Sequence, residues 1–195
     1  MKLGIIVGST RQNRQTIKQA KWVAKTAQQL EGAEVAVIDL QDYPMPLFAE
    51  PVSPRYNPSR DVDPTAQKWL DKLAEQDAYV FVTAEYNHSI PGVLKNAMDY
   101  LDWQLVRKPA AIVSHGTVGG ARAAMHLKEI ISEGKALPIS EFVAFAGMSE
   151  AIDEDGNLAE SYKANPYGPQ ATLDALLKEL QWTSDALSAA RARTA

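Results

Sequence analysis

The sequence contains no cysteine. A thiolate nucleophile, a thiolate metal site and a dithiol redox pair are therefore excluded, and a reducing compartment, the cytoplasm, is the expected location. No apolar run approaches the roughly 18 residues of a membrane span. The opening stretch MKLGIIVGSTR has too short an apolar run for a signal peptide and ends it in Gly-Ser. A strongly basic segment is also missing. The chain carries 20 Lys and Arg against 24 Asp and Glu, a net charge of −4, so nucleic acid is not an expected partner. Several signatures are absent as well. There is no Gly-Lys-Ser/Thr ending for a P-loop and no G-x-G-x-x-G, which argues against nucleoside triphosphates and a Rossmann-bound dinucleotide. There is no G-x-S-x-G elbow for a hydrolase. No HExxH or close pair of histidines points to a metal. Asp153–Asn157 echoes a calcium loop, but its glycine stands fourth rather than sixth and no Glu stands twelfth. An Asp-Gly turn is the expectation there.

What is present is an alternating pattern. At 195 residues and 46% hydrophobic composition, the chain is expected to form one domain, 1–195. Short apolar runs at Leu3–Val7, Val35–Ile38, Tyr79–Val82, Ala110–Val113 and Phe142–Ala146 read as buried strands. Between them lie stretches with apolar residues at helical spacing, such as Ala20, Ala24 and Ala27, and Val93, Ala97 and Leu101 on a helix expected over Val93–Trp103. A last helix is expected from about Gln170 to about Ala190. Two stretches break the pattern, 40–64 with six of the 11 prolines, and 147–168. The first is too long for an ordinary connection and reads as a lid or interface loop. Five strands alternating with helices imply an α/β fold with a parallel sheet. They suit the flavodoxin-like order 2-1-3-4-5, whose switch point lies between strands one and three.

That order brings three loops to one edge. The first, Gly8–Thr16, opens a helix and offers free N–H groups, the hydroxyls of Ser9, Thr10 and Thr16, and the guanidinium of Arg11 or Arg14. It can bind phosphate, or equally serve as a polar turn that starts a helix. The second, Ala84–Ser89, contains Glu85, Tyr86, Asn87 and His88, groups able to stack on or hydrogen-bond to a planar heterocycle. Alone, Tyr86 would more often be a packing residue and His88 a solvated one. The third, Ser114–Gly120, has three glycines in five residues, which lets backbone approach a ligand or simply makes a flexible turn.

Taken together and in order, GSTRQNR, AEYNHSIPGVLKNAMDYL and SHGTVGGARA resemble the NADPH-dependent FMN reductase family of flavodoxin-like proteins, over roughly residues 3 to 150. The resemblance implies Ser9, Arg11, Gln15 and Thr16 around an FMN phosphate. It implies Glu85, Tyr86, Asn87 and His88 along the isoalloxazine ring, and Ser114, Gly116 and Gly119 on its other side. It further implies a quinone reductase or related enzyme with NADPH or NADH as hydride donor and a quinone, free flavin or similar small molecule as acceptor. Catalysis would be ping-pong and need no protein acid or base, because the flavin carries the hydride. A homodimer or homotetramer is implied, and Asn96, Tyr100 and Trp103 are the residues expected to face a partner. The competing reading is a non-enzymatic flavodoxin-type electron carrier. Ala84 stands where family members usually carry proline, and Gln12–Gln15 follows Arg11 where many carry a Ser or Asn.

Overall fold

A computed structural model describes residues 1–147 and 151–193. Its centre is a parallel sheet of β1 (Lys2–Val7), β2 (Glu34–Asp39), β3 (Ala78–Ala84), β4 (Pro109–His115) and β5 (Leu137–Pro138), in the order β2-β1-β3-β4-β5. A further short strand, β6 (Val143–Phe145), also pairs with β4. The expected fifth strand, Phe142–Ala146, is this β6, and the two-residue β5 before it is an addition that the apolar pattern did not mark. Leu137 pairs with Pro109 near the start of β4, and Phe145 pairs with His115 at its end.

β1 and β3 are buried along nearly their whole length. They read as continuous apolar runs because both of their faces are covered. One layer is formed by α1 (Thr16–Ala27) and α6 (Pro169–Ala192), which meet Leu3, Ile5, Val7, Val80, Val82 and Val113. Leu173, Leu176, Leu177 and Leu180 of α6 belong to this same core cluster. The other layer is α2 (Pro64–Ala74), α3 (Gly92–Asp99) and α4 (Ala121–Glu133), around Ile6, Tyr79, Phe81 and Ile112. Each large side chain so buried contributes about 1.5–3 kcal/mol of transfer free energy. Asp63 starts α2: its Oδ1 accepts the N–H groups of Thr65 and Ala66 at 2.8 and 3.2 Å, with Pro64 in the first turn.

The proline-rich stretch is tied to the body of the chain at several points, while Leu47 and Tyr56 on it stay exposed. Asn96 of α3 donates to the carbonyl of Pro46 and accepts the N–H of Phe48, both at 2.8 Å. Arg60, almost fully buried, holds Glu50 at 2.6 Å, the carbonyl of Tyr100 at 2.8 Å and Asp102 at 3.4 Å. These ties correct two expectations. The helix after the second loop ends at Asp99, not Trp103. Its outer face does not await a partner through Asn96 and Tyr100, because the chain's own loop covers them and Tyr100 is 4% exposed. Trp103 does lie at the surface. The Asp-Gly turn forms as expected: Asp153 accepts the N–H groups of Asp155 and Asn157, and Gly156 is left-handed. A short α5 (Glu160–Lys163) precedes α6. Among the described residues no helix is long and apolar enough to cross a membrane.

Candidate functional site

Because β1 and β3 are neighbours and α1 and α3 leave them toward opposite faces, the loops that follow β1, β3 and β4 share one edge of the sheet. Ligands of open α/β sheets bind at this position. The structure brings the three expected loops together and also bonds them to one another. Tyr86 of the second loop meets Ser9 of the first, Oη to Oγ at 2.8 Å. Glu85, its neighbour in sequence, reaches the other way, onto the start of α4 after the third loop.

The first loop leaves donors and acceptors open. Helix α1 starts without a side-chain cap, so its first N–H groups have no side-chain partner. Three consecutive residues there hold buried polar atoms with no partner: Arg14 Nη1, Gln15 Oε1 and Thr16 Oγ1. Arg14 is otherwise fixed, through Nη2, to Asp39 at the end of β2. Arg11 lies exposed, with its guanidinium 5.9 Å from the centre of the Tyr86 ring. A cleft of about 350 Å³ opens here, lined by Arg11 to Gln15 and by Lys18 and Gln41 among others. Buried polar groups are nearly always satisfied by protein or water, so this cluster has hydrogen-bonding capacity to offer a bound polar group. An uncapped helix end with hydroxyl and guanidinium donors fits a phosphate monoester such as that of FMN.

The second loop is a tight turn. Tyr86 and Ser89 exchange backbone hydrogen bonds at 2.9 and 3.0 Å, and Asn87 and His88 at the tip have φ of 49° and 67°. Positive φ at both central residues is the type I′ geometry. Asparagine accepts it readily; histidine holds it at a cost of about 1 kcal/mol or more. Proline is absent at Ala84, yet the loop is held from several sides. Glu85 N–H donates to the carbonyl of His115 at 2.9 Å, and Ser89 Oγ lies 2.7 Å from His126 Nδ1.

The third loop serves the ligand less directly than expected. Ser114 is fully buried and donates its hydroxyl to the carbonyl of Gly119 at 2.9 Å. The N–H of Gly116 reaches Phe145 and that of Gly119 reaches Gly116. These groups shape the turn, and the exposed side chains at its tip are Thr117 and Val118. Gly120 has φ of 75°, and a Cβ there would sit 2.8 Å from backbone atoms of His115. His115 holds a buried Nε2 without a partner, and burial lowers its pKa to about 4. Burial by itself raises the Glu85 carboxyl, but the Arg122 side chain and the N–H groups of Ala123 and Arg122 outweigh it, and its pKa is lowered.

The eleven expected residues therefore divide. Arg11, Gln15, Thr16, Asn87 and His88 have side chains that border the open edge or lack internal partners. Ser9, Glu85, Tyr86, Ser114, Gly116 and Gly119 build the loops. Sequence reasoning passed over Gln19, fully buried one turn into α1 with neither amide atom partnered. It also passed over Arg122 and His126, whose only signal was their place in the first turns of α4.

Fold and site together define a flavodoxin-like α/β protein with an uncapped helix start and an open cleft at its switch point. The chain matches the family described as NADPH-dependent FMN reductase over residues 1–150, and it belongs to that family. It is a flavin-dependent oxidoreductase using FMN and NAD(P)H. An NAD(P)H-dependent FMN reductase of Nectria sp. is 31% identical over 168 residues, which cover 82% of this chain and 84% of that relative. Another from Schizosaccharomyces pombe is 34% identical over 129 residues, covering 66% of this chain and 64% of the relative. The structure also resembles a flavoenzyme NAD(P)H:(acceptor) oxidoreductase of Paracoccus denitrificans. That likeness has a TM-score of 0.75 at 25% identity and covers 93% of this chain and 98% of the other.

Proposed function

We propose that this protein passes reducing equivalents from NAD(P)H to a small-molecule acceptor, a quinone or free flavin, with the oxidised nicotinamide leaving before the acceptor enters. The observation that carries this reading is the uncapped start of α1, with unpartnered buried donors on Arg14 and Thr16. FMN, when bound, supplies the two-electron chemistry. The chain's residues bind and orient. Arg11, Gln15, Thr16 and the first N–H groups of α1 hold the phosphate, and Ser9 sets the loop through Tyr86. The Asn87–His88 turn borders the ring, with Glu85, Tyr86, Ser114, Gly116 and Gly119 shaping the walls. His115 is unprotonated at neutral pH, which agrees with a reaction that draws no proton from it. A quinone reductase of Escherichia coli, 42% identical over 73 residues, supports a quinone as acceptor. We further propose a single domain over 1–195, a cytoplasmic location, and a homodimer or homotetramer.

Arg11→Ala tests the phosphate assignment. Loss of a charge-assisted hydrogen bond of about 1.5–3 kcal/mol weakens FMN binding by about 10- to 100-fold. Retention of FMN at wild-type affinity would overturn the assignment. Steady-state rates with NADPH, NADH and a quinone panel test the rest. Parallel double-reciprocal lines are expected; a yellow protein that oxidises neither nicotinamide would instead favour an electron carrier.

A further inference from the structure

Glu85 and Gly116 come from different loops and fit one another. A Cβ added at Gly116 would lie 3.1 Å from Cβ of Glu85 and 3.4 Å from the backbone nitrogen of Gly120. Glycine at that point leaves room for the Glu85 side chain to cross from the β3–α3 loop to α4. Helix α4 has no capping side chain next to it in sequence, since the residue before it is the left-handed Gly120. Its first N–H groups are met from outside. Glu85 Oε2 accepts the N–H of Arg122 at 3.0 Å and that of Ala123 at 3.4 Å, and Oε1 accepts Arg122 Nη1 at 3.0 Å. A carboxylate at a helix start is favoured both as a hydrogen-bond acceptor and by the helix dipole. The carboxylate is mostly buried, at 8% exposure, whereas the Arg122 side chain is 52% exposed. Ser89 then ties the far end of the same turn to His126, so both ends of the β3–α3 turn rest on one face of α4.

We propose that Glu85 is a positioning residue: carried by the β3–α3 loop, its carboxylate closes the N-terminus of α4 and fixes the separation of the two loops that flank the flavin ring, without touching the flavin. A second consequence concerns charge. With α4 closed by the Glu85 carboxylate and α1 left open, the anionic end of the cofactor is directed to α1. What fills the slot rests on the function proposed above; the clamp itself is a property of this chain.

Three variants test it: E85A, E85Q and R122A. The readouts are amide hydrogen exchange of the flavin-free full chain over 84–89 and 116–123, FMN affinity by fluorescence titration, and the visible circular dichroism of bound FMN. In E85A both segments exchange faster together, FMN binds about tenfold more weakly, the weight of one helix cap, and the dichroic band changes shape. E85Q retains an acceptor oxygen and restores most of the protection, the affinity and the band. R122A stays within about threefold of wild type, as an exposed ion pair should. Lost FMN affinity in E85A with wild-type exchange over 116–123 would make Glu85 a direct ligand and overturn the proposal. Wild-type behaviour of E85A in all three readouts would overturn it too. A wild-type chain that bound no FMN would remove the flavin reading, and the exchange comparison would still decide the clamp.

Discussion

Acid should weaken this protein in a pH window set by one histidine. His115 ends β4 with Nε2 buried and unpartnered. Burial disfavours the charged ring and lowers its pKa from 6.5 to about 4. In the unfolded chain the ring takes up a proton as pH falls through 6.5; in the folded protein it does so only near 4. Between those values the unfolded state binds more protons, so stability declines as pH drops. The contribution is fully present above 6.5 and fully lost below 4. At 1.36 kcal/mol per unit, the ceiling is about 3 kcal/mol, and some residual exposure of the ring lowers it. That is a sizeable part of a typical domain's stability. The assay is urea unfolding of wild type and His115→Gln at several pH values from 4 to 8. Carboxylates with lowered pKa, such as Glu85 and Asp153, contribute to both proteins and cancel in the difference. The wild-type minus variant stability should fall by about 2–3 kcal/mol from pH 7 to pH 4. A difference that stays flat across that range refutes the assignment of a buried neutral imidazole.

Arg60→Ala should destabilise the fold by about 3–5 kcal/mol, because it leaves Glu50 and Asp102 without their buried partner. Chemical denaturation reads this, and limited proteolysis should cut within 44–60 first; a loss below 1 kcal/mol would show that the loop is held by other contacts. Gly120→Ala places a Cβ 2.8 Å from the backbone of His115 at a φ of 75°. A drop of about 2 kcal/mol or more is expected in thermal unfolding, and an unchanged melting temperature would contradict this reading of the turn.

The amino-acid sequence by itself determined the sheet and the edge where the site lies. Apolar runs such as that of β3 are long enough to specify buried strands, and their alternation with helical spacing leaves few possible connections. It also marked the three loops, since polar residues and glycines directly after such runs are local features. Local pattern does not show where a side chain goes once several loops converge. Glu85 and Tyr86 are adjacent, yet one reaches α4 and the other reaches Ser9. Tyr100 has the chemistry of a surface aromatic, yet Arg60 and Asn96 draw a distant segment over its helix. Only the tertiary structure decided which polar groups satisfy each other and which keep no partner among the described residues. Those pairings depend on distances between residues tens of positions apart, and no periodicity in the chain encodes them.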